Sequence, residues 1–153
     1  MINDKIKIAD QLCFASYNVS RLFTRFYENT LSQFNLTFTQ YLVLSILWES
    51  EEDNTLQSIG QQLDLASNTL TPLLKRMEDA GWILRRRLDK DKRQLGVYLT
   101  NKAIRERRHI SEEISKCVSQ NIDIEKYSAA KQVMEELEDS LKTMLYETSS
   151  TKI

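Results

Sequence analysis

The spacing of apolar residues along the chain predicts long helices at both ends and shorter elements between them. The first helix is predicted from about Asp4 to Phe34. Its apolar residues cover more than one face: Leu12, Phe14, Tyr17, Val19, Leu22, Phe23, Phe26, Tyr27 and Leu31. A surface helix needs a single apolar stripe, so this helix is expected to be covered from two sides. Its length of ~45 Å exceeds what a small domain covers alone, which predicts a partner subunit.

Three shorter helices are predicted next. Thr37 or Thr39 can cap the first of them, which continues to Trp48 and ends in the polar stretch 49–54. The second is predicted over Leu56–Leu63, with its larger apolar side chains facing inward.

The third, here named the Ser67 helix, is predicted to be capped by Ser67 and stopped by Gly81. Pro72 is tolerated only near a helix start, which places that start at about Ser67–Thr69. One face is apolar at i, i+3, i+4 and i+7, namely Leu70, Leu73, Leu74 and Met77. The opposite, polar face is therefore predicted to be exposed.

The chain then changes to the alternation of β-strands. Two strands are predicted, Trp82–Leu88 and Gln94–Leu99, and the charged segment Asp89–Arg93 between them, here named the wing tip, closes a hairpin. Two further helices follow the cap Thr100 and run to about Glu147. In the last one, apolar residues recur at the spacing of a helix that packs on another helix: Tyr127, Ala130, Met134, Leu137, Leu141 and Met144.

This order of elements predicts a mainly α fold, an α+β winged helix-turn-helix, in a single domain over residues 1–153. Residues 36–100 form the winged helix in this interpretation, and residues 4–34 and 101–147 are the helices of a dimerisation frame. A chain of 153 residues can build a core of its own, and 3 Gly and 1 Pro leave few turns for an all-β fold.

Composition argues against several classes of protein. No apolar run approaches the ~20 residues that a membrane span needs, and no secretory signal is expected. Two cysteines without such a signal predict reduced thiols and a cytoplasmic protein. With 2 Cys and 1 His, a structural zinc site is not expected, and no other metal or cofactor is predicted.

The distribution of charge indicates nucleic-acid binding. Residues 75–93 hold 8 basic and 4 acidic side chains, although the whole chain has a net charge of -1. A localised positive region of this kind is the electrostatic footprint of a nucleic-acid-binding protein. Short hydroxyl and amide groups near a helix start can reach bases or phosphates from the major groove, and a cationic tip can enter the minor groove.

The candidate DNA-binding residues lie in two segments. They are Ser67, Asn68, Thr69, Thr71, Pro72, Lys75 and Arg76 in the Ser67 helix, and Lys90, Asp91, Lys92 and Arg93 in the wing tip. From the residues alone, an ordinary solvated helix face and a soluble loop remain alternatives.

Three runs of sequence resemble the MarR family of transcriptional regulators. They are residues 36–41 (LTFTQY), 67–78 (SNTLTPLLKRME) and 89–93 (DKDKR), the last followed by Leu99-Thr100. The resemblance covers nearly the whole chain and implies a homodimer that binds a pseudo-palindromic double-stranded operator, usually as a repressor. It also implies that Arg93 is the wing arginine, oriented by Asp91. Ala66 and Asn68 depart from the Asp and Gly common at their positions, which affects the expected base preference.

Cys13 resembles the sensing cysteine of the organic-hydroperoxide branch of that family, the OhrR- and SarZ-like regulators. In that branch a thiolate attacks the peroxide and the oxidised repressor leaves DNA. Tyrosine hydroxyls bond the sulfur there; Tyr27 matches one such position, whereas Phe38 occupies the other and lacks the hydroxyl. Without the resemblance, Cys13 is more readily explained as a small buried apolar residue.

The second cysteine has two interpretations. Cys117 is either a packing residue in line with Ala103, Ile110 and Ile114 or, as two-cysteine members of the branch imply, the thiol that resolves oxidised Cys13 as an inter-subunit disulfide. Cys13 and Tyr27 are 14 residues apart, ~21 Å along one helix, so a contact between them requires the partner subunit. Tyr17 is the aromatic neighbour of Cys13 within the helix.

Other functions stay open at this point. The cysteines could serve a thiol peroxidase, but the chain lacks βαβ units, a phosphate loop and a second catalytic group at a diagnostic spacing, so an enzyme is not expected. The winged helix could bind another protein. A small phenolic ligand in the dimer crevice could release the regulator from DNA in place of an oxidant.

Overall fold

The structure is a computed structural model that describes residue 7 and residues 11–147. The chain forms two compact units, one that ends at Ile114 and one that begins at Ser115. In the first unit the order is α1 (Leu12–Leu31), a 3₁₀ turn (Ser32–Phe34), α2 (Phe38–Glu49), β1 (Asn54–Thr55), α3 (Leu56–Leu63), α4 (Ser67–Asp79), β2 (Ile83–Arg87) and β3 (Leu95–Leu99). Helix α5 (Asn101–Asn121) crosses into the second unit, which continues with α6 (Ile124–Glu147). The predicted mainly α, winged-helix fold is confirmed.

The first helix is shorter than predicted. Gln11 has an extended backbone (φ −92°, ψ 132°), so α1 begins at Leu12 and not near Asp4. The predicted positions 4–6 and 8–10 lie outside the described residues. At the other end the chain tightens into the 3₁₀ turn, which Asn35 ends in a left-handed conformation (φ 54°). The 20 residues of α1 span ~30 Å, so its length alone does not require a partner.

The start of α2 confirms Thr37 as the cap. The Gln40 backbone N–H donates to Thr37 Oγ1 at 3.3 Å, and the Thr37 N–H donates to Gln40 Oε1 at 3.1 Å. This reciprocal pair satisfies two backbone donors that the helix cannot satisfy itself.

Replacing Thr37 with alanine is expected to lower the free energy of unfolding by about 1 kcal/mol, because α2 loses its capping hydroxyl. Urea denaturation measures this loss. Thr39→Ala is the matched control, since Thr39 lies in the first turn of α2 but is not its cap. Equal losses in the two variants would contradict the assignment.

A three-stranded antiparallel sheet carries the wing. Its order is β1-β3-β2, with Arg85 opposite Val97 and Arg87 opposite Leu95. The two predicted strands are confirmed with slightly trimmed ends. Strand β1 was not predicted, because its 2 residues show no alternation and are recognisable only by their pairing with β3.

Helices α3 and α4 form the helix-turn-helix. The turn passes through Asp64 in a left-handed conformation (φ 53°), and the Leu65 N–H donates to the Gly60 carbonyl at 2.9 Å. A Cβ atom at Gly60 would lie 2.8 Å from the Leu65 carbonyl oxygen, so the close approach requires glycine. This turn fixes the direction in which α4 leaves α3.

The start of α5 is bonded to the core of the first unit. The Ala103 N–H donates to Thr100 Oγ1 at 3.3 Å, which confirms Thr100 as the cap. Trp48, 9% exposed, donates its indole N–H to the Ala103 carbonyl at 3.1 Å. Ile110, one turn before the end of this unit, is fully buried.

Helix α6, taken by itself, has no buried residue. Its large exposed apolar side chains are Ile124, Val133, Met134, Leu141, Met144, Leu145 and Tyr146. They include three members of the predicted seam, and such a surface is typical of a helix that packs on another chain. Among the described residues, no helix is both long and apolar enough to span a lipid bilayer.

Candidate nucleic-acid interface

The N-cap of α4 lies one residue earlier than predicted. Ala66 is the N-cap residue, with an extended backbone (φ −68°, ψ 152°) and no side-chain cap bond, and Ser67 is the first helical residue. The prediction that Ser67 caps the helix is therefore wrong, because Ala66 takes the extended conformation that a cap requires. The first turn of α4 keeps backbone N–H groups without a side-chain acceptor, which favours an anion there.

The two faces of α4 are divided as predicted. Leu70, Leu73, Leu74 and Met77 are buried, and all seven candidate residues are exposed: Ser67, Asn68, Thr69, Thr71, Pro72, Lys75 and Arg76. Pro72 lies inside the helix, a turn and a half from its start, so the Asn68 carbonyl receives no helical N–H from it. Lys75 forms an ion pair with Asp79 at 3.0 Å on the same exposed face.

The wing tip holds its arginine outward. Asp91 accepts the Arg93 backbone N–H at 3.1 Å and the Arg93 Nε at 3.1 Å. The Arg93 side chain is 91% exposed, whereas the Asp91 side chain is 28% exposed. Hydrogen bonds from the Arg93 side chain, the Arg93 backbone and Gln94 lower the pKa of Asp91 below its usual value.

A cleft of about 300 Å³ lies between α3, α4 and the wing. Its lining residues are Thr55, Leu56, Gln57, Thr71, Arg87, Arg93, Gln94 and Leu95. The Arg87 guanidinium donates to the Arg93 carbonyl at 3.0 Å, which connects the strand to the tip. Two guanidinium groups and the Thr71 hydroxyl thus border one open cleft, a set of donors that suits phosphate oxygens.

Helix α4 is bonded to strand β2 by a contact that the sequence did not predict. Glu78, near the end of α4, accepts the Arg85 backbone N–H at 2.7 Å and the Arg85 Nη2 at 3.2 Å. These bonds, the backbone one first, lower the pKa of Glu78 below its usual value despite partial desolvation. The buried Arg85 Nε has no hydrogen-bond partner. The run of three arginines at 85–87 was the only signal, and it does not reveal which arginine faces Glu78.

The candidate redox residues lie on α1, α2 and α5. Cys13 is exposed, with its Sγ 3.4 Å from Gln11 Oε1, and Cys117 is half-buried; both thiols are free. The exposure of Cys13 contradicts the interpretation as a small buried residue within one chain. Tyr17 is exposed beneath the Arg21 guanidinium, 5.4 Å from its ring centroid.

The structure brings Tyr27 and Phe38 together. Their ring centroids are 5.4 Å apart, and Tyr27 also stacks on Tyr41 at 6.0 Å. Cys13 lies 14 residues before Tyr27 on the same helix, so the two are ~21 Å apart along its axis. A bond between a tyrosine hydroxyl of this group and Cys13 therefore requires a second chain.

Comparison with known proteins agrees with this geometry. A family model described as transcriptional regulator SarA/Rot matches residues 25–114, more than half of the chain. AbfR of Staphylococcus epidermidis, in its reduced, DNA-bound structure, is 51% identical over 90% of this chain and 96% of that chain, with a TM-score of 0.78. Its disulfide-formed structure is 50% identical over 90% and 92% of the two chains, with a TM-score of 0.67.

Two further relatives show that the similarity extends to regulators of other bacteria. The organic hydroperoxide resistance transcriptional regulator of Bacillus subtilis is 46% identical over 97 residues, which are 63% of this chain and 65% of that protein. AbsC, a MarR family transcriptional regulator from Streptomyces coelicolor, is 20% identical over 92% of this chain and 99% of that chain, with a TM-score of 0.72. The resemblance to the MarR family is thus confirmed. The chain belongs to the SarA/Rot family of transcriptional regulators and has the fold of MarR-family regulators.

Proposed function

We propose that this chain is a homodimeric regulator that binds a pseudo-palindromic operator, with α4 in the major groove and the wing tip in the adjacent minor groove. The observation that carries the proposal is the exposed polar face of α4 beside Arg93, which Asp91 holds outward. The DNA-bound structures of AbfR support it. The relatives compared above are transcriptional regulators, which argues against a peroxidase.

The interface divides its tasks by position. The first two turns of α4 present Asn68, Thr69 and Thr71, whose short side chains reach base edges, and the free N–H groups of the first turn attract a phosphate. The cleft beside Arg87 takes a second phosphate of the same strand. Lys75 and Arg76 neutralise the flanking backbone.

Two copies are needed because one α4 reads only a half-site. Their separation has to match one turn of DNA, ~34 Å, or a multiple of it. Exposed apolar side chains support this: Leu12, Phe14, Tyr17, Val19 and Leu22 on α1 are exposed, as are Ile124, Val133, Met134 and Leu141 on α6. Covering them with a second chain removes apolar surface from water.

The signal proposed for release is an organic hydroperoxide. The Cys13 thiolate attacks the peroxide, the O–O bond breaks, and an S–O bond forms; sulfur loses two electrons, and the peroxide is reduced to an alcohol after taking up a proton. The Cys117 thiol of the partner then attacks this sulfenic acid, so that a disulfide forms and water leaves. Support comes from the exposure of Cys13, the two free thiols, the hydroperoxide regulator among the relatives and the disulfide-formed AbfR structure.

Arg93→Ala tests DNA binding. The variant is expected to bind operator duplex about tenfold more weakly, and the slope of log K against log salt is expected to fall by about 2, because the homodimer loses one phosphate-neutralising cation from each of its two wing tips. Fluorescence anisotropy at several salt concentrations measures both quantities.

Arg107→Ala is the control, since it removes the same charge from an exposed position on α5. Duplex binding that is weak, independent of salt and equal in wild type and both variants would refute the proposed function and favour a protein partner.

A further inference from the structure

The turn between α4 and β2 is bonded to the start of α5, all within the first unit. Three consecutive carbonyls, those of residues 80–82, accept side-chain donors from α5 and its cap. Lys102 Nζ donates to the Ala80 carbonyl at 3.0 Å. Thr100 Oγ1 lies 2.6 Å from the Gly81 carbonyl and 3.1 Å from the Trp82 carbonyl.

Lys102 makes a second contact from the same atom. Its Nζ is 4.2 Å from the centroid of the Trp82 ring, in cation–π geometry. Its stem passes over Gly81, whose positive φ of 80° lets the chain turn there. By contrast, Lys75, Lys131 and Lys142 pair with carboxylates on their own helices. Lys102 is thus bonded to a neighbouring element.

The position of the ammonium group explains why the contact favours one arrangement. Ala80 caps the carboxyl end of α4, where helix carbonyls lack helical donors and the helix dipole favours a cation. Trp82 is 3% exposed and anchors the start of β2 in the core. The Lys102 ammonium, on the first turn of α5, therefore contacts both the end of α4 and the residue that precedes β2.

We propose that Lys102 is a positioning residue for DNA recognition, which sets the angle of α4 relative to α5 through Ala80 and Trp82. This inference rests on the proposed function, in which α4 reads DNA. Lys102 acts at the carboxyl end of α4, ~20 Å along the helix axis from the base-reading first turn.

Two substitutions separate positioning from charge. Lys102→Met keeps the stem but loses the ammonium, and it is expected to weaken operator binding about tenfold with an unchanged salt slope, because one hydrogen bond and one cation–π contact disappear. Lys102→Arg keeps a cationic donor and is expected to retain most of the affinity. Lys116→Met, at an exposed lysine further along α5, is the matched control and is expected to change nothing.

A spectroscopic readout reports the contact without DNA. The chain has 2 Trp, so the indole N–H region of an NMR spectrum holds two peaks, which a Trp48→Phe sample assigns. The Trp82 peak is expected to shift in Lys102→Met and to stay near its wild-type position in Lys102→Arg.

Four outcomes are informative. Wild-type affinity in Lys102→Met would overturn the inference and leave the proposed function intact. A salt slope reduced by about 2, as for Arg93→Ala, would make Lys102 a phosphate contact in each subunit and also overturn it. Failure of the wild type to bind duplex would refute the proposed function, and the positioning role with it. Weakened binding with an unchanged slope, a shifted Trp82 peak and rescue by arginine would establish it.

Discussion

Truncating Leu74 to alanine is expected to lower the free energy of unfolding by about 3 kcal/mol. Leu74 is fully buried on the inner face of α4, so the variant loses the burial of its terminal carbons and leaves a cavity that the surrounding helices fill only in part. Because α4 packs through this face, its outer face loses its fixed direction as well. Urea denaturation measures the stability. Duplex binding at a moderate urea concentration shows whether α4 is still folded.

The comparison is Thr71→Ala on the exposed face of the same helix. Its stability is expected to stay within about 0.5 kcal/mol of wild type, although its affinity for DNA falls. Both variants are measured at the same protein concentration, because the unfolding of a dimer depends on concentration. A loss below about 1 kcal/mol for Leu74→Ala would contradict the buried position of this side chain.

Stoichiometric organic hydroperoxide is expected to convert the reduced protein into a disulfide-linked dimer and to weaken operator binding by about 10²–10⁴-fold. This magnitude is expected because a dimer that contacts only one of its two half-sites loses the avidity of binding both at once. In the proposed homodimer, a covalent link between Cys13 and the partner's cysteine is expected to change the spacing of the two α4 helices, so that they no longer match the fixed spacing of the half-sites.

Non-reducing gel electrophoresis and duplex binding, on the same samples, measure the two effects. Cys13→Ser is expected to give no linked dimer and to stay on DNA, whereas Cys117→Ser is expected to stop at sulfenic acid, also without a linked dimer. Release of the Cys13→Ser variant by peroxide would exclude Cys13 as the sensor. A linked dimer with unchanged affinity would show that the disulfide is not the switch.

The inner face of α4 and the hairpin were predictable because apolar residues recur at helical spacing in the first and in alternation in the second. Four apolar residues at helical spacing leave only one way to orient α4, and the polar side chains opposite them are then exposed. The charged segment between two alternating runs fixes the wing tip by the same argument. The cap of α2 was predictable only as Thr37 or Thr39, because both hydroxyl residues stand before the apolar run, and the structure selects Thr37.

Other features depend on geometry that no local pattern carries. Ser67 and Ala66 differ by one position, and which of them takes the extended backbone is decided by how α3 and its turn end. The bond from Arg85 to Glu78 depends on strand register, which the run of arginines leaves open. The exposure of Cys13 depends on where α1 begins, and the roles of the cysteines and of the DNA-binding candidates stay predictions.

The bond between Glu78 and Arg85 also bears on how copies of this chain avoid unwanted association. Strand β2 lies at an edge of the sheet, and edge strands with free N–H groups recruit strands of other molecules. The outward N–H of Arg85 is already donated to a carboxylate, while the exposed Leu84 beside it offers an apolar surface that a foreign strand would otherwise use. Glu78 is therefore expected to disfavour pairing of β2 with a strand of another molecule.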